Sequence, residues 1–330
     1  MVMEELYEKI LWEGYGLKFR GGTRTRTGLV CRTDQGLREL KKPRGNMENL
    51  RFAYAVKEQL RKNGFTNIGC LSCAVDGEPF YYRDGTLYSL EDPTPAQTLG
   101  EDTAESFIRG ARTLGQMHLA ARGLRSDAAH WERERLPRLY AKRQSELAKL
   151  RHRKEKRRGY DAIDLLLLRY YEQFMAQTSD AIALLSQGGY ADAVDRAEKE
   201  GAFCHHAYKG ESLRLTDAGE LFISSFDKCG AELPLSDLAG YLRRYMKKTD
   251  GGAAGAERML AAYEKSMPLG QSERTILRGM LLYPEKFLRL VNGYYNRRRS
   301  CVSPAMQERL TRAAEEEKHG RVLEGLLAGR

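Results

Sequence analysis

The sequence predicts an α+β fold in which a small N-terminal lobe carries an antiparallel sheet with one helix, and a larger C-terminal lobe is mainly helical. Alternating apolar and polar residues before residue 93 predict the strands, and long stretches with helical spacing after it predict the helices. Between them lies Asp92-Pro93-Thr94-Pro95, whose two prolines make it the best candidate hinge. We therefore predict a bilobal chain with domains at residues 1–93 and 94–330.

The N-terminal lobe contains strand patterns on both sides of one helix. The helix is predicted from Met47 to Lys62, where apolar residues recur with near-helical spacing and Asn63-Gly64 follows as a stop signal. Gly21-Gly22 is predicted to form a turn after the first strand. The predicted strands cover Tyr15–Arg20, Gly28–Thr33, Leu37–Lys41, Ile68–Val75, Pro79–Tyr82 and Thr86–Leu90.

The C-terminal lobe is predicted to be helical apart from one irregular segment. Helices are predicted at Asp102–Ala121, Leu136–Arg157 and Tyr160–Leu185, and from Leu235 onward. The helical pattern breaks at Phe203, and a short hairpin with strands at Leu213–Leu215 and Leu221–Ile223 follows. A sheet with one helix, a hinge, and a helical body with one embedded hairpin is the layout of a protein kinase.

The irregular segment, residues 203–227, contains a diagnostic spacing. In kinase-like folds of the aminoglycoside phosphotransferase and choline kinase type, a catalytic loop H-x-D-x-x-x-x-N is followed by a hairpin that ends in D-x-D. Here the loop begins at His205, and the hairpin ends at Ser225-Phe226-Asp227, thirteen residues after Ser212. The spacing is kept, but Ala207, Ser212 and Ser225 occupy the positions of the loop Asp, the loop Asn and the first hairpin Asp.

The residues around these positions resemble the CotS-type spore coat protein family. Its motifs C-H-Q-D-Y, I-D-F-D and Y-P-E-K-F are similar to Cys204–Tyr208, Ile223–Asp227 and Tyr283–Phe287. Leu233–Leu238 resembles the family's segment in which an Asp helps to tie the catalytic loop, and the resemblance spans roughly Tyr15 to Leu326. It implies a protein that is made in the cytoplasm of a spore-forming bacterium and then joins the spore coat, with other coat proteins as partners.

The three substitutions remove groups that phosphoryl transfer requires. In the related enzymes the loop Asp accepts the substrate proton, while the Asn and the first hairpin Asp coordinate Mg²⁺ on the nucleotide. Ala207 has no proton acceptor, and Ser212 and Ser225 offer neutral hydroxyls. We therefore predict a degenerate site, a pseudokinase with no catalytic residue, no metal and no cofactor, in which His205 organises the backbone.

The resemblance also marks a vestigial nucleotide site. Lys41 is the candidate phosphate-binding lysine, although Lys42 is adjacent, and Glu58 on the following helix is its candidate ion-pair partner. Asp227 is the surviving hairpin carboxylate. These residues leave open a module that binds ATP without Mg²⁺. They also leave open an active small-molecule phosphotransferase in which Asp227, with Glu211 or Asp217, rebuilds a metal site.

The net charge of +10 is concentrated in one segment. Nine Lys or Arg residues and two Glu lie between Lys142 and Arg158, within a basic helical insertion at about residues 127–190. Such a segment binds acidic surfaces or nucleic acid, or is the solvated face of a helix. Because no aromatic residue is interleaved for base stacking, nucleic acid is disfavoured as a partner. The oligomeric state stays open.

Two further patterns limit the function classes. Cys70 and Cys73 form a C-x-x-C on a predicted strand, but no second pair with zinc-site spacing follows, so we predict buried thiols. No apolar stretch approaches the roughly 20 residues that cross a bilayer. The N-terminus lacks the basic and apolar regions of a secretory signal, so we expect no membrane span and a protein that is made and folded in the cytoplasm.

Overall fold

The computed structural model describes residues 2–25, 28–43, 45–155, 159–249, 252–296 and 304–328. Two predicted features, the end of the basic segment at Lys156–Arg158 and the thiol of Cys301, lie outside these ranges. The chain groups into two compact units by its internal contacts. The first unit comprises Met1–Glu101, Arg109–Trp131 and Ala197–Asp237, and the second comprises Asp102–Ile108, Glu132–Arg196 and Leu238–Arg330. The predicted domain boundary at residue 93 stays a prediction.

The first unit is built on a six-stranded sheet in which every pairing is antiparallel. The strand order is β1-β2-β3-β6-β4, and β5 also pairs with β6. Ile10 and Leu11 of α1 pack with Leu29, Leu40 and Leu90 of the sheet in one buried core. The elements are α1 Val2–Tyr15, β1 Phe19–Arg24, β2 Gly28–Thr33, β3 Gly36–Lys41, α2 Met47–Lys62, β4 Leu71–Ser72, β5 Tyr81–Arg83, β6 Thr86–Glu91, and the hairpin of β7 Leu213–Leu215 and β8 Leu221–Ile223.

The start of the chain differs from its predicted structure. Helix α1 was not predicted, and the first strand begins at Phe19 instead of Tyr15. Gly21-Gly22 is not a turn but lies inside β1, where the pairing register with β2 shifts between Phe19 and Gly22. Gly21 has a φ of 119°, and a Cβ on Gly22 would come within 2.9 Å of the Val30 carbonyl oxygen. The two glycines therefore form a bulge that keeps the strand continuous.

The C-x-x-C segment also differs from its prediction. Only Leu71–Ser72 pairs as a strand, so the predicted strand Ile68–Val75 is mostly irregular. Cys70 is half-buried and Cys73 is exposed, so the prediction of two buried thiols is wrong. Among the residues with described positions, no group of three or more His, Cys, Asp or Glu side chains is placed to hold a metal ion.

Helix α2 has the predicted bounds and positions one wall of the candidate site. Its first turn is capped by Asn46, whose side chain accepts a hydrogen bond of 2.8 Å from the Asn49 amide. Leu50, Val56 and Leu60 are buried on its inner face. Lys57 lies on the same face and is only 3% exposed, which places a cation in the interior.

The second unit is helical. The helices predicted at Asp102–Ala121 and Tyr160–Leu185 agree with the structure to within two residues at each end. The helix predicted at Leu136–Arg157 begins one residue earlier than predicted, and its predicted end lies outside the described residues. Close packing at its centre depends on Gly279, where a Cβ would lie 2.9 Å from the Ala181 carbonyl oxygen. In the described residues no helix is both long and apolar enough to span a bilayer. The helices after β6 are α3 Ala104–Ala120, α4 Arg135–Glu155, α5 Ala162–Gln187, α6 Tyr190–Glu200, α7 Leu235–Lys248, α8 Gly252–Glu264, α9 Gln271–Leu282, α10 Glu285–Asn296, α11 Pro304–Glu316 and α12 Lys318–Ala328. Three of them, α3, α6 and α7, have residues in both units.

Candidate functional site

A cavity of about 440 Å³ in the first unit brings most of the predicted site residues together. Strands β3 and β6 and helix α2 line it together with the irregular segment that follows Phe203. Its lining includes Lys41, Ala207, Ser212, Ser225 and Asp227, but neither Glu58 nor His205.

The loop that begins at His205 is held by one buried carboxylate. Asp237, in the first turn of α7, accepts hydrogen bonds from the backbone amides of His205 at 2.5 Å and His206 at 2.8 Å. Its Oδ2 also lies 3.2 Å from His118 Nε2. Burial raises the pKa of Asp237, but the hydrogen bond and charge of His118 and the His205 amide outweigh burial and lower the pKa to about 2. Asp237 therefore performs the loop-tying role that the sequence predicts.

His205 is positioned as a backbone organiser. Its Nδ1 accepts a hydrogen bond from the Ala207 amide at 3.2 Å, so the proton is on Nε2, which lies 3.1 Å from the Ser224 carbonyl oxygen. The ring joins the loop to the end of the β7–β8 hairpin. Burial lowers the pKa of His205 to about 4, so the ring is neutral at pH 7.

The ring of His206 contacts Cys204 and Glu232. Its Nδ1 lies 3.4 Å from Cys204 Sγ and its Nε2 lies 3.3 Å from a Glu232 oxygen. Cys204 is fully buried and burial raises the pKa of its thiol well above the usual value, so the thiol is not an accessible nucleophile. The arrangement stabilises the backbone of His206, whose φ is 59°.

Ser212 uses its hydroxyl to close the loop. Its Oγ lies 2.7 Å from the Ala207 carbonyl oxygen and 2.8 Å from the Lys209 carbonyl oxygen, and it accepts a hydrogen bond of 3.1 Å from the Lys209 amide. The residue is 1% exposed. Because its only proton is shared between two carbonyl groups, Ser212 replaces a metal-binding amide with a structural hydrogen bond.

The end of the hairpin keeps an unusual backbone conformation. Ser225 has a left-handed backbone with a φ of 69°. Phe226, in the short 3₁₀-helix Phe226–Lys228, is buried, and its ring centroid lies 4.7 Å from that of His205. Left-handed conformations of non-glycine residues cost on the order of 1–3 kcal/mol and cluster at functional sites. Ser225, at the end of the hairpin, and His206, in the loop, both hold this left-handed conformation.

Lys41 has partners that the sequence did not predict. Its Nζ lies 3.3 Å from Glu39, 3.6 Å from Glu91 and 3.2 Å from the Thr94 hydroxyl. Burial lowers the pKa of Lys41, but the carboxylates of Glu91 and Glu39 outweigh burial and raise it. The predicted Lys41–Glu58 ion pair is wrong, because Glu58 is 48% exposed and lies 3.8 Å from Arg61.

The partner that α2 supplies to this cluster is a lysine. Lys57 Nζ donates a hydrogen bond of 2.7 Å to Glu91, so Glu91 holds both Lys57 and Lys41. Burial raises the pKa of Glu91, but the charges of Lys57 and Lys41 outweigh burial and lower it. With Glu39, this four-residue cluster has two positive and two negative charges, and we call it the lysine–glutamate cluster.

The donor set does not fit magnesium. Mg²⁺ requires nearly octahedral oxygen ligands and is usually held through carboxylates. Ala207 has no ligand atom, the Ser212 hydroxyl closes the loop, and Ser225 is neutral. Of the acids proposed to rebuild a site, Glu211 and Asp227 line the cavity and Asp217 does not.

Sequence reasoning missed the lysine–glutamate cluster, although two signals were present. Lys57 falls seven residues after Leu50 and four after Ala53, on the apolar stripe of α2. Glu39 and Glu91 are acidic residues in strands, each beside a buried leucine, and the strand register places them directly opposite each other. Like charges in that arrangement repel, so compensating cations were to be expected.

Fold comparisons define the class of protein. The structure is similar to that of an aminoglycoside phosphotransferase from Alicyclobacillus acidocaldarius subsp. acidocaldarius DSM 446, with a TM-score of 0.79 and 17% identity over 94% of this chain and 92% of that one. It is also similar to spectinomycin phosphotransferase APH(9)-Ia, with a TM-score of 0.55 and 12% identity over 97% and 98% of the two chains. The predicted kinase-like α+β fold is thereby confirmed.

Sequence comparisons define the family. The spore coat putative kinase YutH family matches residues 8–325, so the chain belongs to that family. Spore coat protein S of Bacillus subtilis (strain 168) is 24% identical over 279 residues, which cover 82% of this chain and 78% of that protein. The endospore coat-associated protein YutH of the same strain is 22% identical over 254 residues, 73% and 69% of the two chains.

Proposed function

We propose that this protein is a catalytically inactive, kinase-like component of the spore coat that acts in coat structure or assembly. Its family and the names of its two relatives support a place in the coat and other coat proteins as partners. On this proposal the protein is made in the cytoplasm during sporulation and then incorporated into the coat.

One observation carries the loss of catalysis: the scaffold of the catalytic loop is complete while its reactive groups are absent. Asp237 and His205 hold the loop and the hairpin in place. At the positions that would accept a proton and bind metal, the cavity presents Ala207, Ser212 and Ser225. Losing a general base alone reduces rates by about 10²- to 10⁴-fold.

The electrostatics of the cavity support the same proposal. Lys41 is neutralised by two carboxylates and does not carry surplus positive charge toward a phosphate. Lys57 is likewise paired with Glu91.

A thermal-shift titration with ATP, with and without Mg²⁺ or Mn²⁺, tests the proposal. A ligand that binds the native state raises its melting temperature, so an inactive protein without a metal site shows no metal-dependent shift. A shift that requires the metal, together with ATP turnover, would contradict it.

The second candidate is an active ATP-dependent small-molecule phosphotransferase. It is favoured by Glu211 and Asp227, which line the same cavity. If these carboxylates bind metal, the Mn²⁺-dependent shift is lost in both Glu211→Gln and Asp227→Asn and kept in Asp217→Asn, which changes an acid outside the lining.

A scaffold that binds ATP without metal is favoured by the five lysines that line the cavity against three acids. Such a scaffold would show an ATP-dependent rise in melting temperature that persists in EDTA. Lys42→Ala should reduce this shift in melting temperature. Lys42 is chosen over Lys41 because Lys41 also supports the fold through Glu39 and Glu91.

A further inference from the structure

The basic residues of α4 are sorted onto two faces of the helix. Those that point inward have acidic partners within the second unit. Arg143 lies 2.8 Å from Glu146, and Lys154 lies 2.6 Å from Asp164. Arg151 pairs with Glu172. The charges of these three side chains are therefore compensated, by an acid on α4 itself for Arg143 and by acids on α5 for Arg151 and Lys154.

The residues Arg138, Lys142, Lys149 and Arg153 form a different set, which we call the α4 basic stripe. All four are exposed, and none has an ion pair with any residue in the described part of the chain. At 100° per residue they fall within about 60° of the helix circumference. Their separation of fifteen residues gives the stripe a length of about 22 Å.

The stripe is not compensated by the helix itself. Between Arg138 and Lys154 the only acid in the sequence is Glu146. Arg143 pairs with it, and the Asn292 side chain donates a hydrogen bond to it. Like charges four residues apart repel and destabilise a helix, so a partner that neutralises the stripe also stabilises α4.

We propose that the α4 basic stripe docks a carboxylate-rich segment of a partner protein. Charge complementarity favours this occupant, because four cations stand in line with no competing acid. Arg138 and Arg153 can each bind a carboxylate through two parallel hydrogen bonds. Lys142 and Lys149 add charge between them.

The same face is poorly suited to nucleic acid. Base stacking needs exposed aromatic rings. The one aromatic residue of α4, Tyr140, is buried and stacks on Tyr283 with ring centroids 3.5 Å apart. Phosphate recognition also uses hydroxyl and amide side chains, and none of those on α4 falls within the 60° sector of the stripe.

The test is fluorescence anisotropy with two labelled probes, a 20-residue polyglutamate peptide and a 20-base-pair DNA duplex, in 50 and 300 mM salt. The full chain is compared with the triple variant Lys142→Glu, Lys149→Glu and Arg153→Glu. The matched control is Lys265→Glu, Arg309→Glu and Arg321→Glu. Its three residues are exposed and have no ion pair with described residues, and it changes the net charge by the same amount.

We expect polyglutamate to bind the native chain and to lose affinity by about tenfold or more in 300 mM salt. We expect a loss of about tenfold or more in the stripe variant and of no more than about twofold in the control. Three results overturn the proposal: no polyglutamate binding in 50 mM salt, equal losses in both variants, or tighter stripe-dependent binding of the DNA duplex. Equal melting temperatures of the three proteins exclude unfolding as the cause.

Discussion

The two sides of the cavity arrange their charges in opposite ways. On the loop side, Ala207, Ser212 and Ser225 are uncharged, and the buried carboxylate of Asp237 anchors the loop through two backbone amides. On the sheet side, charge is concentrated in the lysine–glutamate cluster and balances there. The loop side offers neutral groups at these three positions, and the sheet side pairs its two buried lysines with carboxylates. The two anchors therefore predict different responses to mutation and to pH.

A mutation on the loop side, at Asp237, should cause the largest loss of stability. Asp237→Ala removes the acceptor of two backbone amides and leaves His118 without its buried carboxylate. Because breaking such a network leaves buried polar groups unsatisfied, we expect the free energy of unfolding to fall by about 3–5 kcal/mol. Urea denaturation measures it, and a loss below about 1 kcal/mol would show that Asp237 does not anchor the loop.

The sheet side should respond according to which charge is removed. Glu91→Gln leaves Lys57 uncompensated and Lys41 with Glu39 alone, so we expect a loss of about 3 kcal/mol. Lys57→Met leaves Glu91 paired with Lys41, so we expect a smaller loss, about 1–2 kcal/mol. The control is Glu58→Ala on the exposed face of α2, where the change should stay within about 0.5 kcal/mol. A larger loss of stability in Glu58→Ala than in Glu91→Gln would contradict this account and support the Lys41–Glu58 ion pair that the sequence predicts.

The pH dependence of stability should separate two groups on the loop side. Burial lowers the pKa of His205 to about 4, below its ordinary value near 6.5. The unfolded chain therefore binds more protons between these values, and stability falls as the pH drops from about 6.5 to 4, by at most about 1.4 kcal/mol per pH unit. Asp237, with its pKa of about 2, loses its contribution at lower pH, between about 3.9 and 2.

Two histidine variants test whether His205 causes the loss of stability between pH 6.5 and 4. His205→Gln should flatten the stability profile between pH 6.5 and 4 and leave the more acidic window in place. His130→Gln is the matched control, because it removes an imidazole that is 71% exposed. An unchanged slope in His205→Gln would mean that another group dominates this range.

The sequence predicted those elements whose bounds are set by neighbouring residues, such as helix stops and turns. The bounds of α2 followed from its apolar spacing and the Asn63-Gly64 stop, and the β7–β8 hairpin followed from its turn residues. The motif spacing predicted that Ala207, Ser212 and Ser225 belong to one site, and the structure places all three in the lining of one cavity. Helix α1 was missed because its pattern of buried residues depends on packing against β1 and β5.

The site chemistry could be predicted only in part, since partners distant in sequence decide it. Lys41 bonds to Glu91, fifty residues away, because the antiparallel register puts Glu91 opposite Glu39. Nothing local to Lys41 distinguishes this partner from Glu58. Likewise, the sequence shows that Ser212 is a hydroxyl, but only the loop geometry shows that the hydroxyl is held by Ala207 and Lys209.

The central claim is that missing side chains, not a disordered scaffold, prevent catalysis. The most direct measurement is Mg²⁺-dependent ATP turnover by the native chain and by the variant Ala207→Asp, Ser212→Asn and Ser225→Asp. We expect no turnover above background in the native chain and a Mg²⁺-dependent shift in melting temperature with ATP in the variant alone, because the scaffold held by His205 and Asp237 is already in place. Mg²⁺-dependent turnover by the native chain that disappears in Asp227→Asn would contradict the account.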